Sequence, residues 1–105
     1  MKLLVIGAGM MGSAAAYDMA RQSDVSAVTL ADADLRRARE VAARINGIRG
    51  DRKVRAVALD AASETAAVQV MKGHDAALSA VPYFLNLGLA RAAIDAQWIQ
   101  FERRS

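Results

Sequence analysis

Short apolar runs alternate with helix-length segments along the chain. The first run, residues 2–6, is apolar after Lys2 and reads as a buried strand. Residues 10–22 predict a helix, with Ala14-Ala15-Ala16 keeping it slim. Residues 27–31 predict a second strand, in which Val28 and Leu30 are the larger apolar positions. Over residues 35–45, Leu35, Ala38, Val41, Ala42 and Ile45 recur at the spacing of one helical stripe. Arg36, Arg37, Arg39, Glu40 and Arg44 fall on the other side. Asp34 is a good N-cap for this helix. Asn46-Gly47 is expected to end it, since both residues tolerate a left-handed backbone. Residues 54–59 predict a third strand. Ser63 caps a helix over 64–72, which Gly73 should stop. A fourth strand follows over 76–80, then a helix over 83–96 opened by Pro82, and a last strand over 98–101.

Strands separated by helix-length segments imply right-handed crossovers and a parallel sheet. The expected fold is α/β: a Rossmann-like doubly wound parallel sheet of five strands in the order 3-2-1-4-5, with helices on both faces. At 105 residues the chain is expected to form one domain spanning 1–105.

Between the first strand and the first helix stands Gly7-Ala8-Gly9-Met10-Met11-Gly12. This is the G-x-G-x-x-G pattern in the context that gives it meaning, strand before and helix after. Gly7 turns the chain off the strand, Gly9 allows a pyrophosphate to approach the backbone, and Gly12 lets the helix lie close to the sheet. The helix then aims its free amides at the phosphates. A glycine-rich turn without a ligand is the competing reading, and the demanding context argues against it. Asp32 lies twenty residues beyond Gly12, at the end of the second strand. An acid there accepts hydrogen bonds from ribose hydroxyls and favours NAD over NADP. Arg36 and Arg37, in the next helical turn, offer a counter-argument, because they can neutralise a 2′-phosphate.

Ligands of such a sheet lie where the strand order reverses, between strands 1 and 4. The candidate cofactor-binding residues are therefore Gly7, Gly9, Met10, Met11 and Gly12 in the loop, Asp32 and Ala33 after strand 2, Asp60 after strand 3, and Ala80, Val81 and Pro82 after strand 4. For Asp60 a turn or cap role is an equal alternative. His74 is expected to be exposed, and Trp98 to pack on the sheet edge.

Composition narrows the chemistry. The chain has no cysteine and a single histidine, His74. It therefore offers no disulfide, no cysteine or histidine metal cluster and no Ser-His-Asp triad, so no catalytic or metal-ligating residue is assigned. Eleven of the fourteen basic residues are arginine, and the net charge is +3. The basic cluster from Arg36 to Arg55 has no aromatic residue within it, so a base-stacking platform for nucleic acid is not expected. A solvated helix face plus a basic loop is the simpler account. Lys2 and the apolar run after it resemble a secretory leader, but the glycine spacing fits the nucleotide loop instead. No apolar stretch is long enough to cross a bilayer, and a cytoplasmic setting is expected.

Ala31-Asp32-Ala33-Asp34 and Ser79-Ala80-Val81-Pro82-Tyr83-Phe84-Leu85-Asn86 carry a more particular likeness. With Val5–Gly12 and Leu89–Ala96 they make the chain resemble the N-terminal nucleotide-binding domain of the saccharopine dehydrogenase family. The resemblance covers residues 1–96. It implies NAD(P)-dependent oxidoreduction of an amino-acid-derived secondary amine or imine, and nucleotide contacts at Gly7, Gly9, Gly12, Asp32 and the Ala80–Pro82 turn. It implies that catalytic residues and the substrate pocket belong to a second domain, so the chain alone is not expected to turn over substrate. The sequence departs from the family pattern near its end. There Gln97 stands where the family has a glycine, and Glu102-Arg103-Arg104-Ser105 replaces an acidic turn. A non-enzymatic nucleotide sensor, like the regulatory modules of potassium channels, is the alternative from a different class. Strand 5, with Trp98, Ile99 and Phe101, is expected to pair with another copy or a partner domain.

Overall fold

The computed structural model describes residues 1–80. Its elements alternate: β1 (Lys2–Ile6), α1 (Met10–Ala20), β2 (Ala27–Asp32), α2 (Leu35–Arg49), β3 (Val54–Ala58), α3 (Glu64–Met71) and β4 (Ala76–Ser79). The strands form one sheet in the order β3-β2-β1-β4. All pairings are parallel, with Leu3 beside Val28 and Ala76, and Val28 beside Val54. The reversal of order after β3 therefore falls between β1 and β4, as expected. The described residues hold four strands rather than the five read from sequence. The helix expected over 83–96 and the strand expected over 98–101 lie outside them, as do Val81, Pro82 and Trp98.

The two-residue period of the strands divides the core. Leu3, Val5, Val28, Leu30 and Val54 face one side and pack with Ala16 and Ala20 of α1 and Ala38, Val41, Ala42 and Ile45 of α2. Leu4, Ile6 and Ala31 face the other side and meet Leu59 with Ala67 and Met71 of α3. Leu4 has no exposed surface. Burying one such side chain stabilises a fold by about 1.5–3 kcal/mol. Alanines on α1 bring that helix close to the sheet, which matters for the loop that precedes it.

The caps behave as the sequence predicts. The Asp34 carboxylate accepts from the Arg37 amide at 3.2 Å, and the Ser63 hydroxyl accepts from the Ala66 amide at 3.3 Å. The end of α2 does not. The helix runs through Asn46-Gly47 to Arg49 and is closed by Gly50, whose φ is +73°. Asn46 stays helical because its side chain is committed elsewhere. Its Nδ2 donates to the Val54 carbonyl at 2.8 Å and its Oδ1 accepts from the Val54 amide at 3.0 Å, pinning the start of β3. Helix α1 ends at Ala20 rather than Gln22. There Lys53 Nζ donates to the Ala20 and Gln22 carbonyls at 3.0 and 2.8 Å. A lysine from the α2–β3 loop thus serves the last carbonyl of the helix and one in the turn that follows it.

Candidate functional site

The carboxyl ends of β1, β2 and β4 converge on the glycine loop. The Gly7 amide donates to the Ala31 carbonyl and the Ala80 amide to the Ile6 carbonyl, each at 2.7 Å. Gly7 has φ +106°, a conformation that L side chains rarely adopt. Gly12 is required for a different reason. A Cβ there would lie 1.6 Å from the Gly7 carbonyl oxygen, so only glycine lets α1 start this close to the strand end. At Gly9 an added Cβ would meet no protein atom within 4 Å. The fold does not demand a glycine at that position, but close approach of a phosphate would.

The Ser13 amide donates to the Gly9 carbonyl at 2.8 Å, and the Ser13 hydroxyl donates to the same oxygen at 2.7 Å. The amides of Met10, Met11 and Gly12, one step earlier, precede the first helical hydrogen bond. No side chain caps this end and no acid occupies the first turn. The arrangement suits a dinucleotide phosphate, which would accept from these donors at the positive end of the helix dipole.

Asp32 is 7% exposed and ties the site together. Its Oδ2 accepts from the Ala8 amide at 2.7 Å, and its Oδ1 accepts from the Asp34 amide at 2.8 Å. Arg37 Nη2 donates to both oxygens, at 3.2 and 3.0 Å. Burial, the largest single influence, disfavours the charged carboxylate. The Ala8 and Asp34 amides and the Arg37 guanidinium together outweigh it and hold the Asp32 carboxyl below its ordinary value. Asp32 therefore orients the glycine loop as well as facing the cleft.

A cleft of about 280 Å³ opens here. Gly7, Gly9, Asp32, Ala33, Asp60 and Ala80 line it, together with Ile6, Arg37, Leu59 and Ala61. Gly12 sits behind the loop against Gly7, and Met10 and Met11 stand outside the lining with exposed side chains. Val81 and Pro82 lie outside the described residues. Asp60 takes the turn role, its Oδ1 accepting from the Ala62 amide at 3.0 Å, and it also borders the cleft. Ile6 and Leu59 were not marked from sequence as lining residues. Their positions beside Gly7 and Asp60, at the carboxyl ends of apolar runs, carried the signal.

His74 departs from expectation. It is half-buried, with Nδ1 2.7 Å from the Val70 carbonyl and Nε2 2.8 Å from the Thr29 hydroxyl. A carbonyl only accepts, so Nδ1 carries a proton and donates to Val70, while Nε2 shares the second hydrogen bond with the Thr29 hydroxyl. Thr29 also accepts from Arg55 Nε at 3.3 Å. This pairing has the lengths of a nucleophile and its base, but Thr29 is 2% exposed in the middle of β2. No substrate reaches it, and the contact ties the α3–β4 connection to the sheet. Among the described residues no group of acids and histidines could hold a metal, and no helix is long and apolar enough to cross a membrane.

A parallel sheet, a glycine loop at its reversal point and a cleft bounded by the acid that ends β2 define a Rossmann-like domain for a nicotinamide dinucleotide. The family described as the saccharopine dehydrogenase NADP binding domain matches residues 3–99, and the chain belongs to that family. Among solved structures, it is similar to saccharopine dehydrogenase (L-Glu forming) from Saccharomyces cerevisiae. The identity is 25% over 91% of this chain and 20% of that one, with a TM-score of 0.75. Quinate dehydrogenase from Corynebacterium glutamicum, in complex with NAD, is 28% identical over 77% of this chain and 27% of its own, with a TM-score of 0.66. A UDP-glucose-4-epimerase from Stenotrophomonas maltophila with bound NAD and formylated UDP-arabinopyranose gives 26% identity and a TM-score of 0.77, covering 92% of this chain and 34% of the epimerase. The chain thus spans about a third or less of each of these proteins.

Proposed function

We propose that this chain is the cofactor-holding part of a saccharopine dehydrogenase-like oxidoreductase acting on an amino-acid-derived secondary amine or imine, in a cytoplasmic setting. The observation that carries the cofactor half is the hydrogen bond from the Ala8 amide to Asp32, which joins the phosphate loop to the ribose end of one cleft. The substrate class rests on family membership. The cofactor supplies the hydride chemistry. The residues of this chain hold it: Gly9 and the first-turn amides at the pyrophosphate, Asp32, Ala33 and Arg37 at the adenosine ribose, Leu59, Asp60 and Ala61 toward the base, and Ala80 with Val81 and Pro82 beside the nicotinamide half. No catalytic residue is assigned to the chain.

Arg37 modifies the preference for NAD read from Asp32. It already neutralises the carboxylate that would repel a 2′-phosphate, and its side chain is 54% exposed, free to reach such a group. This reading accommodates NADP at the same site. Calorimetric titration of the chain with NADH and NADPH tests it, and absence of heat at millimolar cofactor would remove the binding claim. The isolated chain is expected to bind and not to oxidise saccharopine. Self-association or a partner domain at the strand expected over 98–101 belongs to the same proposal, and a monodisperse monomer at high concentration counts against it.

A further inference from the structure

The methionines of the glycine loop are the most exposed of the five, ahead of Met1 at the chain start, which is 55% exposed. Met10 and Met11 are the most exposed large hydrophobic residues among those described, at 91% and 77%, whereas Met71 is 2% exposed in the core and Met19 is half-buried. Two adjacent thioethers thus stand in solvent on the first turn of α1. They are covalently next to the amides of Met10, Met11 and Gly12, which no side chain caps.

We propose that Met10 and Met11 form a peroxide-sensitive modification site whose oxidation weakens dinucleotide binding at the loop; the second half rests on the dinucleotide reading above. The oxidant is hydrogen peroxide or an organic hydroperoxide. A thioether sulfur attacks one peroxide oxygen, the S–O bond forms as the O–O bond breaks, sulfur loses two electrons, and water or an alcohol leaves. The product is a polar sulfoxide in place of a flexible apolar side chain, and methionine sulfoxide reductases reverse it at the expense of a dithiol. Its oxygen is a new acceptor a few bonds from the first-turn amides. Those amides are the donors that a pyrophosphate would use, so the sulfoxide competes for them.

The test treats the full chain with limiting hydrogen peroxide, with and without saturating NADPH, and maps added oxygen by peptide mass analysis. Met10 and Met11 are expected to oxidise at least about tenfold faster than Met71, following exposure, and bound NADPH should slow them selectively. The oxidised chain should bind NADPH several-fold more weakly, and sulfoxide reductase with dithiol should restore the affinity. In a Met10→Leu, Met11→Leu variant, peroxide should leave the variant's own affinity where it was. Oxidation of Met71 at the same rate overturns the site. Selective oxidation with unchanged NADPH affinity overturns the coupling. If the untreated chain binds neither NADH nor NADPH, the dinucleotide reading itself fails and takes the coupling with it, while the peptide map still decides the modification.

Discussion

The Ala8 amide donates to Asp32 Oδ2 at 2.7 Å, across twenty-four positions of sequence. One carboxylate therefore holds the glycine loop in place and faces the cleft that the loop borders. Asp32 remains charged while nearly buried because two amides and Arg37 surround it. Replacing it with Asn supplies one acceptor oxygen where two are used and turns an amide NH₂ toward a backbone donor. A buried donor left unsatisfied costs about 1–3 kcal/mol. Asp32→Asn should lower stability by that order and weaken dinucleotide binding. Chemical denaturation and titration on the same sample check both, and an unchanged unfolding midpoint would contradict this account of the loop.

The same carboxylate predicts the acid response. Its folded-state pKa lies below the unfolded one, near 3.9 for an aspartate. The stability that it contributes is thus fully present well above that value and is lost as pH falls through the depressed folded value. Unfolding free energy measured against pH should show an acid loss beginning below about pH 5, and Asp32→Asn should shrink it. An Asp32→Asn profile parallel to that of the parent would show that other groups govern the acid limb.

Two glycines of one loop should fail in different ways. Gly12→Ala places a Cβ against the Gly7 carbonyl and must push α1 off the sheet, at a cost of roughly 1–3 kcal/mol or more. Gly9→Ala meets no protein atom and should leave the thermal midpoint nearly unchanged while lowering dinucleotide affinity about tenfold or more, through loss of close phosphate approach. Thermal unfolding with and without NADPH separates the two. Equal destabilisation by both substitutions would refute the distinction.

Arg37 should set the balance between the two cofactors. A hydrogen bond to a charged group contributes about 1.5–3 kcal/mol, so Arg37→Ala should reduce NADPH affinity about tenfold or more and affect NADH much less. The ratio of the two dissociation constants is the measurement. A ratio that does not move assigns Arg37 to stability alone.

His74→Ala removes one of the two partners of the buried Thr29 hydroxyl, leaving Arg55. A loss of about 0.5–1.5 kcal/mol is expected for the lost hydrogen bond, without change in dinucleotide affinity, because Thr29 lies away from the cleft lining. Denaturant midpoints and a cofactor titration of the variant check the two parts.

Local sequence determined most of the scaffold. Strand and helix alternation, the caps at Asp34 and Ser63 and the glycine loop are legible because periodicity, capping and turn chemistry act within a few residues. The placement of Asp32 at the end of β2 is legible for the same reason. Tertiary structure decided the rest through pairings with no local signature. Asn46 stays helical because Val54 takes its side chain, α1 is closed by a lysine thirty-three residues away, and His74 reaches Thr29 across forty-five. The sequence marks Asp32 as a ribose acceptor, and only the fold shows it also gripping Ala8 and paired with Arg37. A buried carboxylate takes whichever donors the folded chain brings within reach, and that geometry exists only once β1, β2 and α2 are packed together.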